Sequence, residues 1–149
     1  MGRYYSGDIE GKFWFAVQSS DAADRFGATG HNNYLEYYFD DTLLPEIKRG
    51  IKDIKDNLGE NLKLLDEFFK INNGYNEEMI KKFFKEKGKT IGDGDIKYML
   101  EEYADLGLGK KILKCVKENG ECAFTAELYK CVFKETTKRG DFVSPFFLF

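Results

Sequence analysis

Hydrophobic positions recur every second residue near both ends of this chain and every third or fourth residue between them. From Arg3 to Ile9 and from Lys12 to Gln18 the alternation reads as a β-hairpin turned at Glu10-Gly11. In the second strand Phe13, Phe15 and Val17 share one face, which places Trp14 with Lys12, Ala16 and Gln18 on the more polar side. Ser19-Ser20-Asp21 offers an N-cap for a short helical turn over Asp24–Phe26. After the Gly/Asn loop at Gly27–Asn33, the aromatic run Tyr34–Asp40 predicts a third strand.

The period then changes. Thr42 is placed to cap a helix that carries Pro45 in its first turn. Ile47, Ile51, Ile54 and Leu58 form one apolar stripe, and Leu62, Leu65, Phe68 and Phe69 continue it past a break at Gly59. Asn72-Asn73-Gly74 ends that segment, and Asn76 with Glu77 and Glu78 opens another that carries Met79, Ile80, Phe83 and Phe84. Two further helices are predicted, Asp95–Ala104 and Gly109–Glu118, parted by Gly107-Leu108-Gly109 and stopped by Asn119-Gly120. Cys122, Phe124, Ala126 and Leu128 then alternate on one face of a C-terminal strand, with an apolar tail at Phe142–Phe149. The order is α+β: an N-terminal antiparallel hairpin or three-stranded sheet, central helices and a C-terminal β element. With no internal repeat and no long linker, 149 residues are expected to form one compact domain.

Composition narrows the class. Fourteen Phe, nine Tyr and one Trp supply ample material for a core. The 42% hydrophobic content and a net charge of only -3 exclude a disordered chain. No apolar run approaches the ~20 residues of a membrane span, and the N-terminus has no secretory pattern, so a soluble, cytoplasmic protein is expected. Only four basic residues are Arg, which argues against long nucleic acid as a partner. Residues 1–45 hold seven acidic and three basic groups, a local excess of negative charge. Cys115, Cys122 and Cys131 are expected to be reduced, since their spacing fits no zinc signature and their number is odd.

Candidate chemistry is sparse. Asp8 and Glu10 flank Ile9 and would share a strand face, with Asp40 near by, a set able to hold a divalent cation or divide acid and base roles. The same acids are ordinary turn residues. His31, the only histidine, has the titration range for proton transfer, but no GxSxG elbow or other nucleophile motif accompanies it. Gly107–Lys111 resembles a helix-opening anion site in which Lys110 and Lys111 would meet a phosphate, without the full Walker spacing. Asp93-Gly94-Asp95 fails as a calcium loop, because Lys97 and Ala104 stand where ligands are needed. Tyr4, Tyr5, Trp14, Tyr34, Tyr37 and Tyr38 crowd the N-terminal sheet, more than one face can bury. Aromatic groups on a polar face anchor partners or stack on bases.

These observations point to a binding module without a cofactor that occupies a protein partner through an aromatic and acidic N-terminal sheet. By size and composition alone it is analogous to phage-type inhibitors of host defence complexes. Two rivals stay open. One is a binder that sequesters a small nucleotide-like ligand between Trp14 and the tyrosines, with Lys110 and Lys111 taking its phosphate. The other is a metal-dependent phosphoester or nucleotide hydrolase built on Asp8, Glu10, His31 and Asp40. Homo-oligomerisation, for instance through the Phe-rich tail, is compatible with any of the three.

Overall fold

Tyr5, Tyr37, Phe39, Cys122, Phe124 and Ala126 are all buried, and each alternates with more exposed neighbours, as one half-buried sheet requires. The computed structural model, which describes residues 3–14, 16–30 and 35–127, shows that sheet. Its strands are β1 (Tyr4–Gly7), β2 (Gly11–Lys12), β3 (Leu35–Asp40) and β4 (Glu121–Ala126), in the order β2-β1-β4-β3 and with every pair antiparallel. The C-terminal strand therefore lies in the middle, with Phe124 opposite both Gly7 and Tyr37. Phe124 is also the hub of the inner face, its ring 5.2 Å from Tyr37, 6.0 Å from Tyr5 and 6.1 Å from Phe39. Such ring pairs add about 0.5–1.5 kcal/mol each beyond their burial.

The hairpin is shorter than the alternation predicts. Tyr4 pairs with Lys12 and Tyr5 with Gly11, so the turn spans residues 6–10 rather than Glu10-Gly11 alone. Pairing with β4 wins over an early turn. Gly7, at φ +146°, lies so close to β4 that a Cβ would sit 2.6 Å from the Ala123 carbonyl. Asp8 then prolongs the ladder, its N–H donating to Ala123 O and its carboxylate accepting from Ala123 N, each at 2.8 Å. Beyond Lys12 the chain leaves the sheet and turns at Trp14–Gln18, where the N–H groups of Val17 and Gln18 donate to Trp14 O and Ala16 has φ +68°.

Four helices complete the described chain: α1 (Leu44–Leu58), α2 (Asn61–Ile71), α3 (Glu77–Glu86) and α4 (Asp93–Asn119). The α1 stripe is buried as its spacing predicts, and Gly59 separates α1 from α2 with φ +54°. Asn76 caps α3 by accepting from Met79 N at 2.8 Å. Thr42 does not cap α1, whose N-cap is Leu43 without a side-chain cap bond, and the capping carboxylate belongs instead to the turn before it. The Asp40 carboxylate accepts from Thr42 N at 3.0 Å and closes a 3₁₀ turn, Asp41–Leu43, that leads into the helix.

The two helices predicted on either side of Gly107-Leu108-Gly109 are a single 27-residue helix, α4. Glycine inside a helix costs about 1 kcal/mol relative to Ala, and tertiary packing outweighs that cost here. Phe26, fully buried in the 3₁₀ turn Ala22–Phe26, wedges between α1 and α4. A Cβ at Gly50 would lie 2.8 Å from its ring and one at Gly109 2.6 Å from it. The buried apolar side chains of sheet and helices form one cluster. No helix among the described residues is long and apolar enough to cross a membrane. Leu128, Cys131 and the predicted tail Phe142–Phe149 lie outside the described residues.

Candidate functional site

The predicted aromatic group divides between two faces. Tyr5 and Tyr37 point inward and belong to the core, so neither stands on the solvent face of the sheet. Trp14 does not stand on a polar face, because the strand that would have placed it there ends at Lys12. Its ring packs instead against Phe69 at 5.4 Å, Tyr103 at 6.0 Å and Tyr75 at 6.2 Å, in an annex of the helical core. Burial pushes the Tyr75 phenol up to about 12, and it pushes Tyr103 up as well, helped by the hydrogen bond Tyr103 donates to Asp66 at 2.7 Å. Tyr34 and His31 lie outside the described residues.

Tyr4 and Tyr38 remain on the solvent face, 50% and 53% exposed. Register places Tyr4 beside Glu127 and Tyr38 beside Ala123, so β4 separates them by four positions along its length. Strand geometry then sets them about 16 Å apart on a diagonal across the face. Between them runs the row Ser6–Thr125–Glu36. Tyr4 N donates to Glu127 Oε1 at 3.0 Å, and Lys12 Nζ lies 5.9 Å from the centre of the Tyr4 ring. The Tyr38 hydroxyl donates to Glu121 Oε1 at 2.9 Å, a bond that raises its pKa. The face thus combines two aromatic groups with Glu36, Asp40, Glu121 and Glu127, and Lys12 at its edge. Glu121 and Glu127 were not among the sequence-derived candidates. Their signal was the complement of the Cys122, Phe124, Ala126 alternation: a strand that buries its even positions presents its odd ones.

The carboxylates predicted as a catalytic set do not form one. Asp8 is spent on β4 and Asp40 on the 3₁₀ turn, while Glu10 is exposed and offers its main-chain oxygen to Lys111 Nζ at 3.0 Å. Among the described residues no three His, Cys, Asp or Glu side chains gather into a metal-holding group. The anion site predicted at Gly107–Lys111 lacks the helix N-terminus on which it was based. These residues lie mid-helix, where backbone N–H groups are already bonded to the preceding turn. Lys110 is exposed on α4. Lys111 donates to the Tyr5 hydroxyl at 2.8 Å and sits 5.0 Å from the Tyr5 ring centre.

A buried polar network joins residues 14–21 and the 3₁₀ turn after them to α1 and α4. Arg25 donates to Glu102 at 3.0 and 3.2 Å and to Asp105 at 2.9 Å, and Asn57 adds a bond to Glu102 at 3.0 Å. Gln18 donates to Asp105 at 3.0 Å and accepts from Trp14 N at 3.1 Å. Arg3 reaches Gln18 O at 2.6 Å and also Ser20. Glu102 and Asp105 are 5% and 3% exposed. Burial raises the Asp105 carboxyl to about 6, against the opposing bonds from Arg25 and Gln18. The i, i+3 spacing of Glu102 and Asp105 on an apolar helix face was the available signal. Cys115 and Cys122 are buried free thiols, with Cys122 pushed up by burial and by contact with Cys115.

Comparison with protein-family models, with curated proteins and with solved structures found no match for this chain.

Proposed function

We propose that this protein is a binding module that occupies a partner protein through the solvent face of its sheet. The observation that carries the reading is the pair Tyr4 and Tyr38, each about half exposed on a face otherwise built of small polar and acidic residues. Tyrosine anchors such contacts because its ring brings large apolar area at a low entropy cost while its hydroxyl stays hydrogen-bonded. Glu36, Glu121 and Glu127 give the face a negative potential, which suits a partner surface rich in Lys and Arg and speeds encounter at low salt. The hydrolase reading draws no support from Asp8 and Asp40, whose carboxylates already serve the backbone.

The test is native mass spectrometry of the tagged full chain drawn from its host lysate, beside a Tyr4→Ala/Tyr38→Ala variant. The wild-type chain is expected to retain a stoichiometric protein mass, to lose it in the double variant, and to release it as salt rises. Both substitutions fall on exposed side chains, so circular dichroism should show an unchanged fold. A partner held equally by the double variant, or a wild-type chain that carries none, overturns the reading.

A further inference from the structure

A groove of about 370 Å³ opens between the β1–β2 hairpin and the middle of α4. Ala104, Gly107, Leu108 and Lys111 form its helical side, spaced i, i+3, i+4 and i+7 on one face, and Tyr5 and Trp14 supply aromatic walls. Small-molecule sites commonly span ~300–1,000 Å³ with a largely apolar lining and a few placed polar groups. No Asp or Glu side chain lines this one.

Two details set the groove apart from an accidental dent. The first is Gly107. Gly109 is explained by Phe26, which leaves no room for a Cβ, whereas a Cβ at Gly107 would meet nothing within 4 Å. Alanine would fit there and favour the helix, so packing does not require the glycine, and its effect is to leave this part of the groove wall without a side chain. The second is Lys111. Its ammonium is fixed by two neutral acceptors, Tyr5 Oη at 2.8 Å and Glu10 O at 3.0 Å, and makes no ion pair among the described residues. Gly11 keeps that position open, since a Cβ there would lie 2.6 Å from Lys111 Nζ. An ammonium has three donors. Two are used, and one positive charge stays uncompensated beside the aromatic walls.

We propose that this groove binds a small aromatic anion of the nucleoside monophosphate class, with its ring against Trp14 and Tyr5 and its phosphate on Lys111. Stacking is indifferent to base identity, because every base offers a π-face, and the lysine selects for the charged form. Tyr5 points to the helices and Tyr4 to solvent, so the groove and the outer sheet face share only Lys12, at the hairpin edge.

Trp14 is the only tryptophan, so its indole N–H gives one assignable NMR signal at the groove. The full chain is titrated with AMP, GMP, CMP and UMP, with adenosine, and with inorganic phosphate. At least one monophosphate is expected to shift the signal saturably, with at least about tenfold higher affinity than adenosine. Gly107→Leu, which fills the groove from an open position, should abolish the shift without lowering the melting temperature. Lys111→Met should reduce monophosphate affinity to that of the nucleoside. The absence of a saturable shift at millimolar monophosphate overturns the proposal, as does a shift that survives Gly107→Leu. Equal affinity for adenosine and AMP removes the anion assignment. A full response to inorganic phosphate alone removes the aromatic one.

Discussion

Replacing Asp105 by Asn tests whether desolvation or the Arg25 ion pair controls the buried network. Two carboxylates, Glu102 and Asp105, share one guanidinium, and Glu101 adds repulsion from the same helix. Burial is the largest influence on Asp105 and lifts its pKa from 3.8 to about 6. A group whose folded pKa exceeds its unfolded value binds its proton more tightly when folded. Its stabilising contribution is full below about 3.8, falls as pH rises from there to about 6, and is gone above that. At 1.36 kcal/mol per pKa unit, the shift corresponds to a loss of about 3 kcal/mol across that window. Asn cannot ionise, and its amide would face a donor from Arg25 or Gln18, so the variant starts at a disadvantage of about 1–2 kcal/mol. The informative quantity is the difference between the two urea-unfolding free energies at pH 4, 5, 6 and 7. Asp105→Asn should gain on the wild type by about 2.5 kcal/mol between pH 4 and 7, and other titrating groups cancel in the comparison. Parallel curves would falsify this account and would mean that Arg25 keeps Asp105 ionised throughout.

Two shorter tests concern the helices. Gly109→Ala should destabilise by about 1–2 kcal/mol in urea unfolding, because the overlap with Phe26 outweighs the gain in helix propensity; an increase in stability would show that Phe26 does not fix the α1–α4 approach. Asn76→Ala should cost about 1 kcal/mol through loss of the α3 cap, with Asn76→Asp close to wild type; an alanine variant as stable as wild type would make that bond incidental.

What the chain made legible was whatever depended on near neighbours. The stripe Ile47, Ile51, Ile54, Leu58 is buried as spaced, Asn76 caps as placed, and Cys122, Phe124 and Ala126 share the inner face of β4. The errors arose where a distant segment decided. Gly7 and Asp8 read as the run-up to a tight turn, but their partner is Ala123, and that pairing lengthens the turn and ends β2 early. Gly107-Leu108-Gly109 reads as a break because local propensity has no knowledge of Phe26. Alternation puts Trp14 on a polar face, but β2 does not reach it, and its partners Phe69, Tyr75 and Tyr103 come from two helices and a loop far along the chain. For the candidate site, the presence of exposed aromatics and acids was foreseeable. Which tyrosines stay outside was not, since that depends on which face α4 covers.

The central position of β4 also sets an order of events in folding. Tyr5 pairs with Ala126 and Tyr37 with Phe124, so neither β1 nor β3 meets its main strand partner until residues 121–126 have been synthesised. On a ribosome the α1–α4 region emerges complete while the sheet still lacks its middle. Closing it requires two long loops to be brought together, which makes sheet assembly a late and comparatively slow step. Until then the aromatic side chains of β1 and β3 have only the helices to cover them.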